Sequence, residues 1–448
     1  MRIFSWTLLL LLPALSVGQE SAPKVEQRPP DLPSIVGRWD SQMLPDAGSG
    51  DPVAFTIAIQ MVQRDLRADL LNGPNRIAFT KVEWQEPNLT LHLDQYEGII
   101  DAHCADKDCN TLAGSYTRPR ATGTAKFKFK AMRHAIELQH DPKAWKWPGL
   151  TGNWTFTFDV PATDNERVSK ARFTQGPSEG TDNGGADAEV TGTIAPVDGD
   201  LGLLHGSIVQ EIDKKKPKLP RFTMSRFDGI HVIYLKGAFQ PDGTLAGTIN
   251  YSFGTPTAFT AVRATPAPEA TGTAALPNPE TLTTVKDLAE PFRFSAVDLA
   301  SGKVISNDDP SLRGKAVIVD IFGTWCPNCH DEAPLLTDLY NRYRAKGLVV
   351  VGLSYEYTDD PARSARLLKL YRETYNIEFP TLLVGTTDSG QIQKTLPQLV
   401  NFGAYPTTIF LDRQGRVIAI HAGFAGPATG SFAEVKARFE QIVEQMVK

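Results

Sequence analysis

Two cysteines three residues apart carry the clearest chemistry in this 448-residue chain: Trp325-Cys326-Pro327-Asn328-Cys329. Thiols at that spacing can open and close a disulfide. The preceding segment, Ala316-Val-Ile-Val-Asp-Ile-Phe322, has the apolar run of a buried strand, and a helical pattern starts near Pro327. The first cysteine is therefore expected at a helix N-terminus. Unpaired backbone N–H groups and the positive end of the helix dipole favour its thiolate there. The thiolate is the species that attacks disulfides. Cys326 is thus expected to be the nucleophile, nearest the helix N-terminus and the more exposed of the two, and Cys329, one turn further in, the thiol that resolves the mixed disulfide.

The same spacing has rivals. A lone C-x-x-C can be half of a zinc site, but no second cysteine pair stands at zinc spacing. Cys326-Pro-Asn-Cys329-His330 also spells the c-type haem attachment motif, with His330 as axial ligand. That motif sits in small helical domains, whereas Cys326 follows a strand. The expectation is no cofactor and no metal, with His330 a neighbour whose positive charge, when present, favours the thiolate. The other pair, Cys104 and Cys109, brackets the polar turn Ala-Asp-Lys-Asp. A structural disulfide is the plain expectation. A second redox pair, or a metal site with His103 and Asp101, are the alternatives.

The rest of the chain must position this dithiol. Its length implies two or three domains. A net charge of −5 and a pI near 6.0 give no basis for nucleic-acid binding. Met1-Arg2, an apolar run from Ile3 to Leu15 and Ser16-Val17-Gly18 have the layout of a signal peptide over residues 1–18. The run is shorter than the roughly 18–20 residues a membrane span needs. The expectation is an exported, periplasmic or extracytoplasmic protein with no stable span after cleavage. From Ser34 to Arg263, apolar and polar residues alternate, as in Phe55-Thr-Ile-Ala-Ile-Gln-Met61, which predicts half-buried antiparallel strands. Three segments recur in order. Gly37-Arg38-Trp39 matches Gly152-Asn153-Trp154, Tyr96-Glu97-Gly98-Ile99 matches Phe227-Asp228-Gly229-Ile230, and Thr111-Leu-Ala-Gly-Ser115 matches Thr244-Leu-Ala-Gly-Thr248. Two related all-β modules, barrel or sandwich, are expected at 34–135 and 148–263. A Pro/Ala/Thr linker follows at 264–280, then a mixed α/β domain at 285–448 in which strand and helix patterns interleave.

Residues 288–448 resemble the TlpA/ResA-type thiol–disulfide oxidoreductases of the thioredoxin-like superfamily. Three stretches carry the resemblance: Gly314 to Pro334 around the cysteines, Phe294-Ser-Ala-Val-Asp-Leu-Ala-Ser-Gly302-Lys303, and Ala404-Tyr405-Pro406-Thr407-Thr-Ile-Phe-Leu-Asp412. The resemblance implies a cis peptide before Pro406 beside the dithiol, a sheltering role for Trp325, and a carboxylate at Glu332 that influences thiol protonation. It also implies disulfide-containing protein substrates, reduction as the usual direction, and a membrane electron donor that recharges the pair. Pro327-Asn328 departs from the family's frequent proline at the second position. That leaves the potential open across roughly −270 to −120 mV. Two other function classes remain: a binding protein whose β modules capture a ligand or partner, and a peroxiredoxin-like thiol peroxidase.

Overall fold

The computed structural model describes residues 24–25, 33–136, 147–180, 185–264 and 278–448. The expected signal peptide and most of the expected linker lie outside the described residues.

The first unit is a nine-stranded antiparallel meander running from β1 (Gly37–Pro45) through β2 (Thr111–Pro119) to β3 (Thr124–Arg133). Its first and last strands pair, so the sheet curls round. The two free ends are stitched where Phe79 N–H donates to the Ala68 carbonyl at 2.9 Å and Thr80 N–H to His92 at 2.8 Å. Strand β3 explains the closure. Ala125, Phe127, Phe129 and Ala131 point inward and are buried, while three lysines alternate outward.

The second unit repeats the plan with β4 (Gly152–Phe158), β5 (Val168–Gln175), β6 (Ala186–Ala195) and a last strand β7 (Thr257–Arg263). Pairing of β5 with β6 closes an eight-stranded barrel. The repeat extends to one side-chain device. Trp39 Nε1–H donates to the Ile35 carbonyl at 3.0 Å, and Trp154 Nε1–H to Leu150 at 2.9 Å. Arg133, at the end of β3, lies 4.5 Å over the Trp39 ring, and Arg263, at the end of β7, lies 4.4 Å over Trp154. Each guanidinium also donates to the backbone ahead of its barrel's first strand, at Val36 and Thr151. Aromatic side chains fill both interiors, so these are packed barrels and not sandwiches.

The barrels interlock. Phe227 of the second barrel is fully buried against Phe55 and Tyr116 of the first, with ring centroids 4.8 and 4.9 Å apart. Asn72 exchanges two hydrogen bonds with the Phe227 backbone, at 2.7 and 3.1 Å.

The third unit centres on β8 (Ala316–Phe322), whose seven residues are all buried. It runs parallel to β9 (Leu348–Glu356), which runs parallel to β10 (Thr381–Thr386). On its other side lies β11 (Thr407–Leu411), antiparallel, followed by β12 (Val417–Ala422). A hairpin, Ser295–Asp298 with Lys303–Ser306, completes seven strands. Side chains of β8 alternate between two cores. Ala316, Ile318 and Phe322 meet helices α1 (Pro327–Tyr343), α2 (Pro361–Tyr375) and α3 (Phe432–Met446), and Val317, Val319 and Ile321 pack on the opposite face. Burial on both faces is why β8 reads as a continuous apolar run. No helix among the described residues is long and apolar enough to cross a membrane.

Candidate active site

Strand β8 ends at Phe322, and a short turn delivers Cys326 to the N-cap of α1. The Cys326 sulfur accepts from the Cys329 N–H at 3.3 Å, so the thiol satisfies one of the helix's otherwise unpaired donors. It also lies 3.5 Å from the Tyr405 carbonyl, which precedes Pro406 across a cis peptide. Both cysteines are free thiols. Trp325 directly precedes the pair and is half-buried. Its Nε1–H donates to the Tyr355 carbonyl at 2.9 Å, and its ring stacks on Tyr357 and meets Tyr405 edge-on. The C-terminal site residues therefore form one cluster. Cys104 and Cys109 are disulfide-bonded to each other in the first barrel, which takes their sulfurs out of any metal set with His103 and Asp101.

Cys326 is the more exposed of the two thiols, as expected, yet at 4% accessible against 1% for Cys329 it is buried. His330 is not a cationic neighbour. Burial pushes its imidazole down to about 4, so the ring is neutral at pH 7. Its Nε2 faces the Thr324 carbonyl and its Nδ1 the Tyr375 hydroxyl, each at 2.8 Å. A carbonyl can only accept, so Nε2 carries the proton and Nδ1 accepts from the tyrosine.

Beneath the thiols lies an acid pair that the sequence reading only half found. Glu332 is buried, accepts from the Thr408 hydroxyl at 2.5 Å, and is not a solvated helix residue. Asp320, in the middle of β8, is its partner. Burial pushes both carboxyls up; the Asp320 charge raises Glu332 further, whereas the hydrogen bond from Glu332 lowers Asp320. Asp320 Oδ1 and Glu332 Oε2 have no other hydrogen-bond partner, and one shared proton satisfies both. Burial likewise raises the Cys329 thiol, with contributions from Cys326 and then from the Asp320 charge. The signal for Asp320 was present, because an acid inside a seven-residue buried strand needs a reason. Glu356 was also missed. Buried at the end of β9, it accepts from Thr324 N–H at 3.2 Å and from the Thr324 hydroxyl at 2.6 Å, fixing the turn that carries Trp325 and Cys326.

Residues 285–420 match the family model described as the AhpC/TSA family. The chain is similar to the thiol-disulfide oxidoreductase ResA of Bacillus anthracis, 29% identical over 125 residues, covering 28% of this chain and 63% of that protein. It is similar to the thioredoxin-like protein YneN of Bacillus subtilis (strain 168), 30% identical over 124 residues, covering 27% of this chain and 66% of that protein. The chain thus spans less than two thirds of the length of these relatives. Among solved structures, a thiol:disulfide interchange protein of the thioredoxin family from Chlorobium tepidum TLS aligns at 26% identity, covering 36% of this chain and 98% of that one, with a TM-score of 0.27. The C-terminal unit is a thioredoxin-like domain of the AhpC/TSA family with ResA and YneN among its homologues.

Proposed function

We propose that this protein is an exported thiol–disulfide oxidoreductase that reduces disulfides in protein substrates through Cys326 and Cys329. The observation that carries the proposal is the Cys326 sulfur at the N-cap of α1, 3.3 Å from the Cys329 N–H and 3.5 Å from the Tyr405 carbonyl. The Cys326 thiolate attacks one sulfur of a target disulfide, and the other sulfur leaves as a thiolate that takes up a proton. Cys329, deprotonated, then attacks Cys326 across the mixed disulfide. The target's second sulfur leaves, and two electrons have passed from the dithiol to the target. Burial makes the Cys329 proton hard to lose, so this step needs a base. The Asp320–Glu332 pair is close enough for its charge to act on that thiol and has room for a proton. A membrane electron donor then recharges the pair. The Cys104–Cys109 disulfide supports an oxidising compartment, and the similarity to the thiol-disulfide oxidoreductase ResA supports the reaction class.

The test is a redox titration of the full chain in glutathione buffers. A single two-electron couple assigned to Cys326–Cys329, absent in Cys326→Ser, is expected. Consumption of peroxide with no reduction of insulin disulfides would favour the peroxidase class instead.

A further inference from the structure

Residues of the two barrels pack against the start of α1, beside the buried thiols. The loop after β6 in the second barrel runs across the start of α1. The Asn328 side-chain amide, between the two cysteines, pairs with both the N–H and the carbonyl of Asp200 at 3.2 Å. Asp200 also accepts from Gly426 N–H at 2.6 Å. The approach is so close that side chains are excluded on both sides. A Cβ at Gly199 would fall 2.1 Å from the Asn328 amide, and one at Gly423, whose φ is +79°, would fall 2.2 Å from the Asp198 carbonyl. Gly423 N–H in turn donates to the Pro406 carbonyl at 2.7 Å. Residues 198–200, leaving the turn closed by the Gly199 N–H on the Pro196 carbonyl, therefore lie between the cysteine motif and the loop beside the cis-proline.

The first barrel adds to this cover. Arg118, at the end of β2, donates to the Ile230 carbonyl at 3.0 Å and acts on the hydroxyl of Tyr357, the ring stacked on Trp325. Tyr96 meets His330 edge-on at 5.2 Å. Its neighbour Glu97 is 17% exposed and is gripped by Arg363 and Arg366 of α2, with Arg363 Nε 2.7 Å away. Two segments that match in the repeat thus meet at one place. Tyr96-Glu97 and Phe227-Asp228-Gly229 pack together against α1 and α2, around a 440 Å³ cavity that Tyr96, Arg226, Asp228, His330 and Asp331 help to line.

We propose that the barrels are an autoinhibitory cover, in which residues 198–200 occupy the groove for an extended substrate peptide and the Glu97–Arg363/Arg366 cluster latches it shut. The inference rests on the exchange reaction proposed above and adds that a protein disulfide reaches Cys326 only when the cover lifts, whereas a small reagent reaches it through the closed form. No new reaction is involved. The cover competes with substrate for one groove, so opening is an equilibrium that the latch biases.

The test uses the reduced full chain and two maleimides, N-ethylmaleimide and one carrying a polyethylene-glycol chain, with Cys326 modification read by mass spectrometry. Glu97→Arg breaks the latch. Gly199→Leu is an independent wedge within the barrel loop. If the open form is about 1% populated, the bulky probe reacts about 100-fold more slowly than the small one in the wild type. Either variant narrows that ratio at least about tenfold, and reversing the charges at Arg363 and Arg366 in the Glu97→Arg chain restores it. Equal rates for both probes in the wild type, or an unchanged ratio in both variants with native circular dichroism, would overturn the cover. Failure of Cys326 to react with even the small probe in every chain would count against the exchange reaction, and separates the two.

Discussion

Replacing Asp320 with Asn separates the second half of the exchange from the first. Two effects of this substitution oppose each other. The Asp320 charge is one of the causes that raise the Cys329 thiol, so removing it lowers that pKa. That fall would supply more Cys329 thiolate. Against this, the acid pair loses its capacity to take the Cys329 proton, and removal of a positioned base slows a step by about 10²–10⁴-fold. Asp320 is only one of the smaller causes of the raised thiol, so the base effect is the larger, and resolution of the mixed disulfide should slow by up to about 10²–10⁴-fold. A chromogenic aryl disulfide reads both steps in one trace. The first aryl thiolate appears when Cys326 attacks, and the second when Cys329 displaces it from Cys326. The first phase should change by less than about threefold, because Asp320 has no hydrogen bond to the Cys326 sulfur. The second should be slowed in Asp320→Asn and absent in Cys329→Ser. A second phase that is unchanged or faster in Asp320→Asn would refute the base role and leave the acid pair a structural feature.

Other outcomes follow from the same contacts. His330 has its folded pKa pushed by burial from 6.5 down to about 4. The unfolded chain therefore binds that proton first as pH falls, and stability is lost between about pH 6.5 and 4, by about 3 kcal/mol. His330→Gln should remove this contribution from the denaturant midpoints of the redox domain, leaving that of His421, also held near 4, and those of Asp320 and Asp331, raised to about 7, which act in the opposite direction. Phe227→Ala empties the aromatic contact between the barrels and should cost about 3–5 kcal/mol in urea unfolding followed by near-ultraviolet dichroism. Arg263→Met removes the cation over Trp154 and two backbone hydrogen bonds. It should cost about 1–3 kcal/mol, with Arg133→Met giving a similar loss in the first barrel.

The redox unit was legible because its signals are local. The buried run of β8, the cysteine spacing and the helical pattern from Pro327 lie within short windows, and α1 starts at Pro327 as that pattern predicts. The barrels were legible through alternation, as in the Ala125, Phe127, Phe129 and Ala131 stripe of β3. What escaped depends on distance along the chain. Arg133 and Arg263 are single basic residues at strand ends, and nothing nearby ties them to tryptophans some hundred residues earlier. The cover over the start of α1 comes from Tyr96 and Asp200, residues that composition and spacing could not bring there. His330 was misread for the same reason. Its neutrality follows from Tyr96, Tyr371 and Tyr375 packing around it.

The central claim is that Cys326 is the sulfur that attacks a target and Cys329 the sulfur that releases it. Incubating Cys329→Ser with a disulfide-bonded peptide and mapping the adduct by mass spectrometry tests this most directly. The account predicts a persistent mixed disulfide on Cys326 that only added reductant removes, and no stable adduct on Cys329 when Cys326→Ser is treated alike. An adduct that forms on Cys329 in Cys326→Ser, with Cys326 inert in the partner variant, would contradict it.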